Sequence, residues 1–147
     1  MKTRNMIMIL CFIVLLGAAC SGGNGSAQAE ENHIQWMPYD QGLDVADKQG
    51  KKVFLHFYTD WCHYCKVMAQ KTFTDQDVIS FLNDHFVAIR VNSDEEKSLA
   101  QKYSVRGVPV SWFLEEDGEQ IGSRPGYLPP EDFMTMLKFV NQEQYNQ

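Results

Sequence analysis

The segment TDWCHYCK contains two cysteines, Cys62 and Cys65, whose spacing suits several kinds of thiol chemistry. Cysteine pairs of the C-x-x-C type attach haem, bind soft metals, form structural disulfides or exchange disulfides. Haem attachment needs a histidine directly after the second cysteine. Lys66 occupies that position, so the motif excludes haem attachment.

A metal site on the pair would need further ligands from elsewhere in the chain. A structural zinc site has four ligands, usually supplied as two cysteine or histidine pairs. The sequence has no second C-x-x-C pair, and its four histidines show no paired ligand spacing, which argues against zinc. Soft thiolates also select Cu(I), so a copper site at Cys62 and Cys65 remains an alternative.

A disulfide between these cysteines would be a weak structural crosslink, because its stabilising effect grows with the length of the closed loop. The surrounding pattern favours a reactive pair. An apolar strand runs into Cys62, where a helix is predicted to begin, and a helix N-terminus stabilises a thiolate. We therefore expect Cys62 to be the exposed nucleophile. Cys65, one turn further on, should be more buried and resolve the mixed disulfide.

The elements that must position the pair alternate between helices and strands. The run 53–58 is β-branched and aromatic, which predicts a strand buried on both faces. Three more strands are predicted at 86–91, 110–114 and 119–123. Helices are predicted at 39–48, 62–71, 93–103 and 129–140, with a short helix after a Thr74 cap.

This order of elements predicts an α/β sandwich. Strands joined by helices favour a parallel pair with a right-handed crossover. Glu116-Asp117-Gly118 is a hairpin turn signal that adds an antiparallel pair. We expect a central mixed sheet of about four strands, with room for an extra one, and helices on both faces.

Three motifs in this order resemble those of the thioredoxin superfamily. FYTDWCHYCK is similar to its W-C-x-x-C-K signature, Gly107-Val108-Pro109 resembles its cis-proline loop, and the hairpin FLEEDGEQIG is followed by Gly126. The resemblance covers about residues 36–140 and implies a thioredoxin fold. Within the superfamily, YTDWCHYCK, TFTDQDVISFL and KQGKKV resemble thioredoxin-like periplasmic domains such as the C-terminal domain of DsbD.

The resemblance implies a thiol–disulfide oxidoreductase with Cys62 and Cys65 as catalytic residues and with no cofactor. The backbone of Val108, beside Pro109, would be offered to an extended protein substrate, and a membrane protein would donate electrons. The likeness to DsbD favours reduction of exported proteins or a role in cytochrome maturation. A Cu(I)-binding metallochaperone and a non-catalytic thioredoxin-like binding module are the alternatives.

The chain departs from the family's pattern at two positions. In thioredoxins a buried acid lies six residues before the first cysteine, and here that place is His56. DsbD-type domains tend to have an acid four residues after the second cysteine, and here it is Ala69. His56 could carry protons for Cys65, since imidazole exchanges protons near neutral pH. The alternative is a neutral histidine that fills space in the core.

The residues beside the cysteines are candidates for supporting roles. His63, when protonated, would stabilise the Cys62 thiolate and make the pair more oxidising; otherwise it is a solvated side chain. Tyr64 lacks the rigidity of the proline often found before the second cysteine. Trp61 is expected to pack as a lid beside the pair and, secondarily, to contact substrate.

The N-terminus predicts export. Residues 1–19 combine two basic residues with a 14-residue apolar run, the pattern of a signal peptide. The stretch LLGAAC resembles a bacterial lipoprotein signal, which implies lipid attachment and membrane tethering at Cys20. Cleavage after Ala29 is the alternative and would leave a soluble periplasmic protein. Residues 20–32 read as a flexible tether, and 33–147 as the thioredoxin-like domain.

The charge balance excludes one class of partner. The full chain has a net charge of −6, and removing residues 1–19 takes away two basic residues, which gives −8. An acidic protein is a poor ligand for nucleic acid. Loss of the signal and lipidation of Cys20 would leave only the C-x-x-C pair, too few cysteines for a disulfide scaffold, so the fold must depend on its apolar core.

Overall fold

The computed structural model describes residues 32–147. The predicted signal peptide 1–19, the predicted lipid site Cys20, the alternative cleavage site at Ala29 and most of the predicted tether lie outside the described residues. Among residues 32–147, no helix is long and apolar enough to span a membrane.

The centre of the structure is a mixed five-stranded sheet in the order β1-β3-β2-β4-β5. The strands are β1 (Trp36–Met37), β2 (Lys52–Tyr58), β3 (Phe86–Asn92), β4 (Val110–Leu114) and β5 (Gln120–Pro125). The first three are parallel, whereas β4 and β5 are antiparallel to their neighbours. The predicted α/β sandwich is confirmed. Strand β1 is the extra strand beyond the four predicted ones. The sequence does not reveal it, because its two residues are too few to show an alternating pattern.

Among residues 32–147, five α-helices and a final 3₁₀ turn surround the sheet. They are α1 (Tyr39–Gln49), α2 (His63–Lys71), α3 (Gln76–His85), α4 (Lys97–Lys102), α5 (Pro130–Asn141) and the turn Gln144–Asn146. Two predicted helix starts are wrong. Asp75, and not Thr74, caps α3 by accepting from the backbone N–H groups of Asp77 and Val78, each at 3.1 Å. Helix α4 begins at Lys97, because Asn92 holds the preceding residues in a turn through its side chain and carbonyl.

Side-chain alternation along β2 divides the core into two layers. Phe54 and His56 point to one face, which α2, α3 and α5 cover through residues such as Met68, Leu82 and Phe133. The opposite face carries Val53, Leu55 and Phe57 beneath α1 and α4. We call the first of these the α2 face. Since both faces are covered, the five central residues of β2 are all buried, as their sequence predicts.

Phe54 is the centre of the aromatic packing on the α2 face. Its ring centroid lies 5.0 Å from that of Phe133 and 5.7 Å from that of Phe113. We expect Phe54→Ala to lower the free energy of unfolding by about 3–5 kcal/mol, because it removes buried apolar area and leaves a cavity. Urea unfolding measures this change. Phe139→Ala is the matched control, since Phe139 is 39% exposed, and should change stability by no more than about 0.5 kcal/mol. Equal losses in both variants would contradict this view of the core.

Candidate active site

Cys62 and Cys65 form a disulfide at the N-terminus of α2, with their Cα atoms 5.3 Å apart. Cys62 is the N-cap residue: its backbone is extended, and its Sγ accepts a hydrogen bond from the Cys65 N–H at 3.1 Å. The first helical residue is therefore His63, in agreement with the predicted start at about Cys62. A sulfur at this position faces the unpaired N–H groups of the first turn, which stabilise a thiolate in the reduced protein.

Both cysteines are buried, which corrects one expectation. Cys62 is 5% exposed and Cys65 is 2% exposed, so Cys62 is not the exposed residue that the sequence predicts, although it remains the less buried of the two. Part of the cover comes from the loop before β4, the strand next to β2. The carbonyl oxygen of Val108 lies 3.5 Å from Cys62 Sγ. Helix position alone could not indicate this contact, because 46 residues separate its partners.

The loop before β4 lies against the cysteine pair. The peptide bond between Val108 and Pro109 is cis, and the Pro109 carbonyl accepts a hydrogen bond from the Gly126 N–H at 2.8 Å. A cavity of about 430 Å³ runs beside this loop. Residues that line it include Tyr103, Arg106, Val108, Pro109, Trp112 and Gly126. The sequence motif Gly107-Val108-Pro109 is thus placed where an extended chain could approach the disulfide.

Two aromatic side chains project beside the pair. Trp61 is 71% exposed and Tyr64 is 61% exposed. Trp61 is therefore not the packed lid that the sequence predicts, because its indole N–H donates to the Asp94 carboxylate at 2.8 Å and is held away from the core. His63 is also exposed, as expected, and its ring contacts that of Tyr64. The sequence does not indicate that Asp94 accepts this hydrogen bond from Trp61, since the contact depends on the turn after β3.

His56 is completely buried on the α2 face, and neither ring nitrogen has a hydrogen-bond partner among the described residues. Its ring packs edge-on against Phe73 at 4.9 Å. Burial, followed by the positive charge of Arg90, lowers the pKa of His56 to about 3. The side chain is therefore neutral at physiological pH. These observations favour the packing interpretation over the proton carrier.

Arg90 is a residue of this region that the sequence reasoning missed. It lies in register with His56 on the adjacent strand β3. Its guanidinium carbon lies 3.8 Å from the ring centroid of Tyr58. A charged residue within the apolar strand FVAIRVN is the signal that could have identified it. Strand register, however, was needed to place it beside His56.

A metal site receives no support from the surroundings of the pair. Across residues 32–147, no three histidine, cysteine or acidic side chains are grouped so that they could hold a metal ion. The sulfurs of Cys62 and Cys65 are bonded to each other, and His63 is turned towards Tyr64. The arrangement is chemically suited to thiol–disulfide exchange.

Comparison with known proteins defines the class. Residues 39–141 match the thioredoxin-like domain family, so the chain belongs to this family. The match includes the C-x-x-C segment, the Val108-Pro109 loop and four of the five strands. The chain is thus a thioredoxin-like protein whose C-x-x-C cysteines form a disulfide.

Particular relatives include the thiol:disulfide interchange protein DsbD. The chain is 32% identical to DsbD of Actinobacillus pleuropneumoniae over 126 residues, which are 78% of this chain and 21% of that protein. It is 40% identical to DsbD of Photorhabdus laumondii over 89 residues, which are 58% of this chain and 15% of that protein. The chain thus spans about a fifth or less of these relatives, roughly one domain.

Solved structures show the same fold. A thioredoxin from Thermus thermophilus superposes with a TM-score of 0.67 and 31% identity, covering 74% of this chain and 87% of that chain. The C-terminal domain of Neisseria meningitidis DsbD, in its reduced form, has a TM-score of 0.57 and 28% identity, covering 67% and 90% of the two chains. The predicted thioredoxin fold is confirmed.

The neutral state of His56 has a measurable consequence for acid stability. Its pKa is about 3 in the folded protein and about 6.5 in the unfolded chain. As the pH falls, the histidine is therefore protonated in the unfolded chain before it is protonated in the folded protein. The free energy of unfolding decreases as the pH falls below about 6.5. From pH 7 to pH 5 this loss amounts to roughly 2 kcal/mol. Between pH 7 and pH 5, we expect the free energy of unfolding of His56→Phe to fall by roughly 2 kcal/mol less than that of the parent. Urea unfolding at the two pH values measures this difference.

The control for this experiment is the exposed histidine His85. His85→Gln should retain the full acid-dependent loss of the parent, because water solvates this side chain in both states. If His56→Phe and the parent lost the same free energy between pH 7 and pH 5, His56 would not be neutral in the folded protein.

Proposed function

We propose that the chain is an exported thiol–disulfide oxidoreductase that reduces disulfides in exported proteins. The observation that carries the proposal is the position of Cys62 Sγ. This sulfur accepts from the Cys65 N–H at the start of α2 and lies 3.5 Å from the Val108 carbonyl. The proposed nucleophile Cys62, the proposed resolving residue Cys65 and the Val108 carbonyl thus lie close together beside an open cavity.

In the proposed reaction, the Cys62 thiolate of the reduced protein attacks one sulfur of a substrate disulfide. The substrate S–S bond breaks, a mixed disulfide with Cys62 forms, and the other substrate sulfur leaves as a thiolate. The Cys65 thiolate then attacks Cys62 Sγ and releases the second substrate thiolate. Two electrons pass to the substrate, and the pair becomes a disulfide.

The surroundings of the pair suit a protein substrate. The Val108 carbonyl can accept a backbone N–H from an extended chain that lies along the loop, as in other strand-addition contacts. Trp61 and Tyr64 are large exposed aromatic side chains beside the reacting sulfur. Such side chains supply much of the contact energy at protein interfaces. No cofactor enters the proposal, because the thiols carry the electrons.

The likeness to DsbD supports thiol–disulfide exchange as the chemistry of the pair. Those relatives are named thiol:disulfide interchange proteins, and the chain matches a segment the size of one domain. We propose a membrane protein as electron donor and a periplasmic location, with lipid at Cys20 as the tether. The same proposal assigns two supporting roles. His63 lies next to the Cys62 thiolate, and Pro109 shapes the loop beside it.

Insulin reduction with dithiothreitol as donor tests the chemistry. Cys62→Ser should reduce the rate to that of dithiothreitol alone, because it removes the nucleophile. Cys65→Ser should also be slow, but it should accumulate a mixed disulfide visible as a shifted band on a non-reducing gel. Activity retained by Cys62→Ser would contradict the proposal. Stoichiometric copper after anaerobic purification, lost in both variants, would favour the metallochaperone.

Lipid attachment is tested in bacterial cells that express the full chain. Labelled palmitate should be incorporated into the parent and into Cys11→Ser, whose changed residue lies in the signal. Cys20→Ser should lose the label and leave the membrane fraction. A mature N-terminus at Glu30, found by mass spectrometry, would show cleavage after Ala29 instead.

A further inference from the structure

The face of the sheet opposite the α2 face is only partly covered. Helices α1 and α4 cover the side chains of β2 and β3 on this face. Trp112 of β4, however, stays half-buried, and its cross-strand neighbour Ser123 of β5 is exposed. Paired residues of neighbouring strands project from the same face of a sheet. This open part of the sheet forms one wall of the cavity of about 430 Å³ beside the Val108-Pro109 loop.

The floor of this cavity is aromatic and apolar. The ring of Trp112 packs edge-on against that of Tyr103, with 5.5 Å between the ring centroids. Tyr103 is held in place by a hydrogen bond of 2.8 Å between its hydroxyl and that of Tyr39. Val105 and Val108 pack beside the two rings and also line the cavity. Aromatic pairs gain stability beyond the area that they bury, so this floor suits an aromatic side chain.

The mouth of the cavity carries a positive charge. Arg106 is the one charged side chain among the described residues that line the cavity, and it is exposed. Within residues 32–147, no carboxylate oxygen lies within 4.0 Å of its guanidinium. The whole chain has a net charge of −6 and therefore repels anions in general. The mouth of this cavity is a place where an acidic group is attracted instead.

The cavity begins at the loop that contacts the reacting sulfur. Val108 supplies both the carbonyl oxygen 3.5 Å from Cys62 Sγ and part of the cavity lining. Trp112 lies four residues further along the chain, which is at most about 13 Å in an extended segment. The middle of the cavity is therefore about two or three residues of extended chain away from a cysteine bonded to Cys62.

We propose that this cavity is a specificity subsite for an aromatic side chain of the protein segment that exchanges disulfides with Cys62, and that Arg106 selects an acidic residue beside it. The proposal rests on the proposed function, because it names the class of segment that the cysteine pair acts on. The aromatic ring leaves water over Trp112 and Tyr103, which favours binding. The carboxylate stays in solvent beside Arg106, where an ion pair contributes less to affinity than to selection.

The exchange equilibrium of a mixed disulfide measures these contacts. Cys11→Ser, Cys20→Ser and Cys65→Ser together leave Cys62 as the one thiol of the full chain, and this single-thiol chain is the parent for the test. A peptide thiolate attacks Cys62 Sγ of the mixed disulfide, the S–S bond to a second peptide breaks, and that peptide leaves as a thiolate. No net oxidation occurs. Intact-protein mass spectrometry measures which of two competing peptides the protein holds at pH 7.

Each peptide has a central cysteine, an inner test residue about three positions to either side, and an outer test residue beyond each inner one. We expect the parent to hold phenylalanine at the inner positions about tenfold more than alanine, which is about 1.4 kcal/mol. At the outer positions, glutamate should be favoured over lysine by about fivefold at low salt. High salt should weaken the preference for glutamate and leave that for phenylalanine.

Ser123→Tyr tests the cavity. A large ring at this position lies across from Trp112 and fills the space over it, so the preference for phenylalanine should fall below about twofold. Gln120→Tyr is the matched control, because Gln120 is an exposed residue of the same strand that does not line the cavity. This variant should keep the preference of about tenfold.

Arg106→Gln tests the charge at the mouth. The preference for glutamate should vanish or reverse, because the rest of the chain is acidic, while the preference for phenylalanine should remain. Arg124→Gln removes an equal charge from an exposed residue that projects from the opposite face of β5, and it should keep the preference for glutamate. A preference for glutamate that survives in Arg106→Gln would overturn the role given to Arg106.

Three results would overturn the subsite itself. The first is a parent that holds the phenylalanine and alanine peptides within about twofold of each other. The second is a Ser123→Tyr protein that folds, by near-ultraviolet circular dichroism, and keeps the full preference. The third is an equal loss in Gln120→Tyr, which would assign the effect to the strand and not to the cavity. Should Ser123→Tyr fail to fold, Ser123→Leu replaces it, since leucine also reaches over the Trp112 ring.

These measurements separate the two proposals. If insulin reduction survives in Cys62→Ser, the proposed function fails, yet the mixed-disulfide equilibrium still reports the contacts in the cavity. If the function holds and the parent shows no preference for phenylalanine, only the subsite proposal fails.

Discussion

The constraint on which the active site depends is the burial of β2 on both faces. Five consecutive side chains of this strand are buried, three from one layer of the core and two from the other. The strand is therefore fixed in direction and register, and the turn after Tyr58 begins at a defined place. The Cys62 N–H donates to the Thr59 carbonyl at 3.3 Å in that turn. A helix that starts there must present the sulfur of Cys62 to its own first N–H groups.

The same strand brings the second half of the site into contact. Strand β4 pairs antiparallel with β2, and Val110 lies opposite Phe57. The two residues before Val110 must then lie beside the turn that carries the cysteines, which places the Val108 carbonyl against Cys62 Sγ. Strand β5 holds this loop from the other side through the hydrogen bond between Gly126 and Pro109. The site is thus assembled by pairing along the central strands, while the helices mainly cover it.

Local patterns predict much of this arrangement, and tertiary contacts explain the rest. The buried run of β2, the cysteine spacing and the hairpin signal are properties of neighbouring residues, so the sequence indicates them directly. The burial of Cys62 and the exposure of Trp61 depend on partners 46 and 33 residues away. Helix α4 starts late because Asn92 stabilises a turn that no periodicity reveals. The position of Arg90 required the register of two strands, although an arginine in an apolar strand was visible from the start.

The potential of the cysteine couple determines which substrates it can reduce. Electrons flow from the couple of lower potential to the couple of higher potential, so the fold alone does not set the direction. Structural disulfides with potentials below about −300 mV resist reduction, whereas strained or exposed disulfides have higher potentials and accept electrons more readily. In the proposed role, labile disulfides are therefore better substrates than those that hold folded domains together.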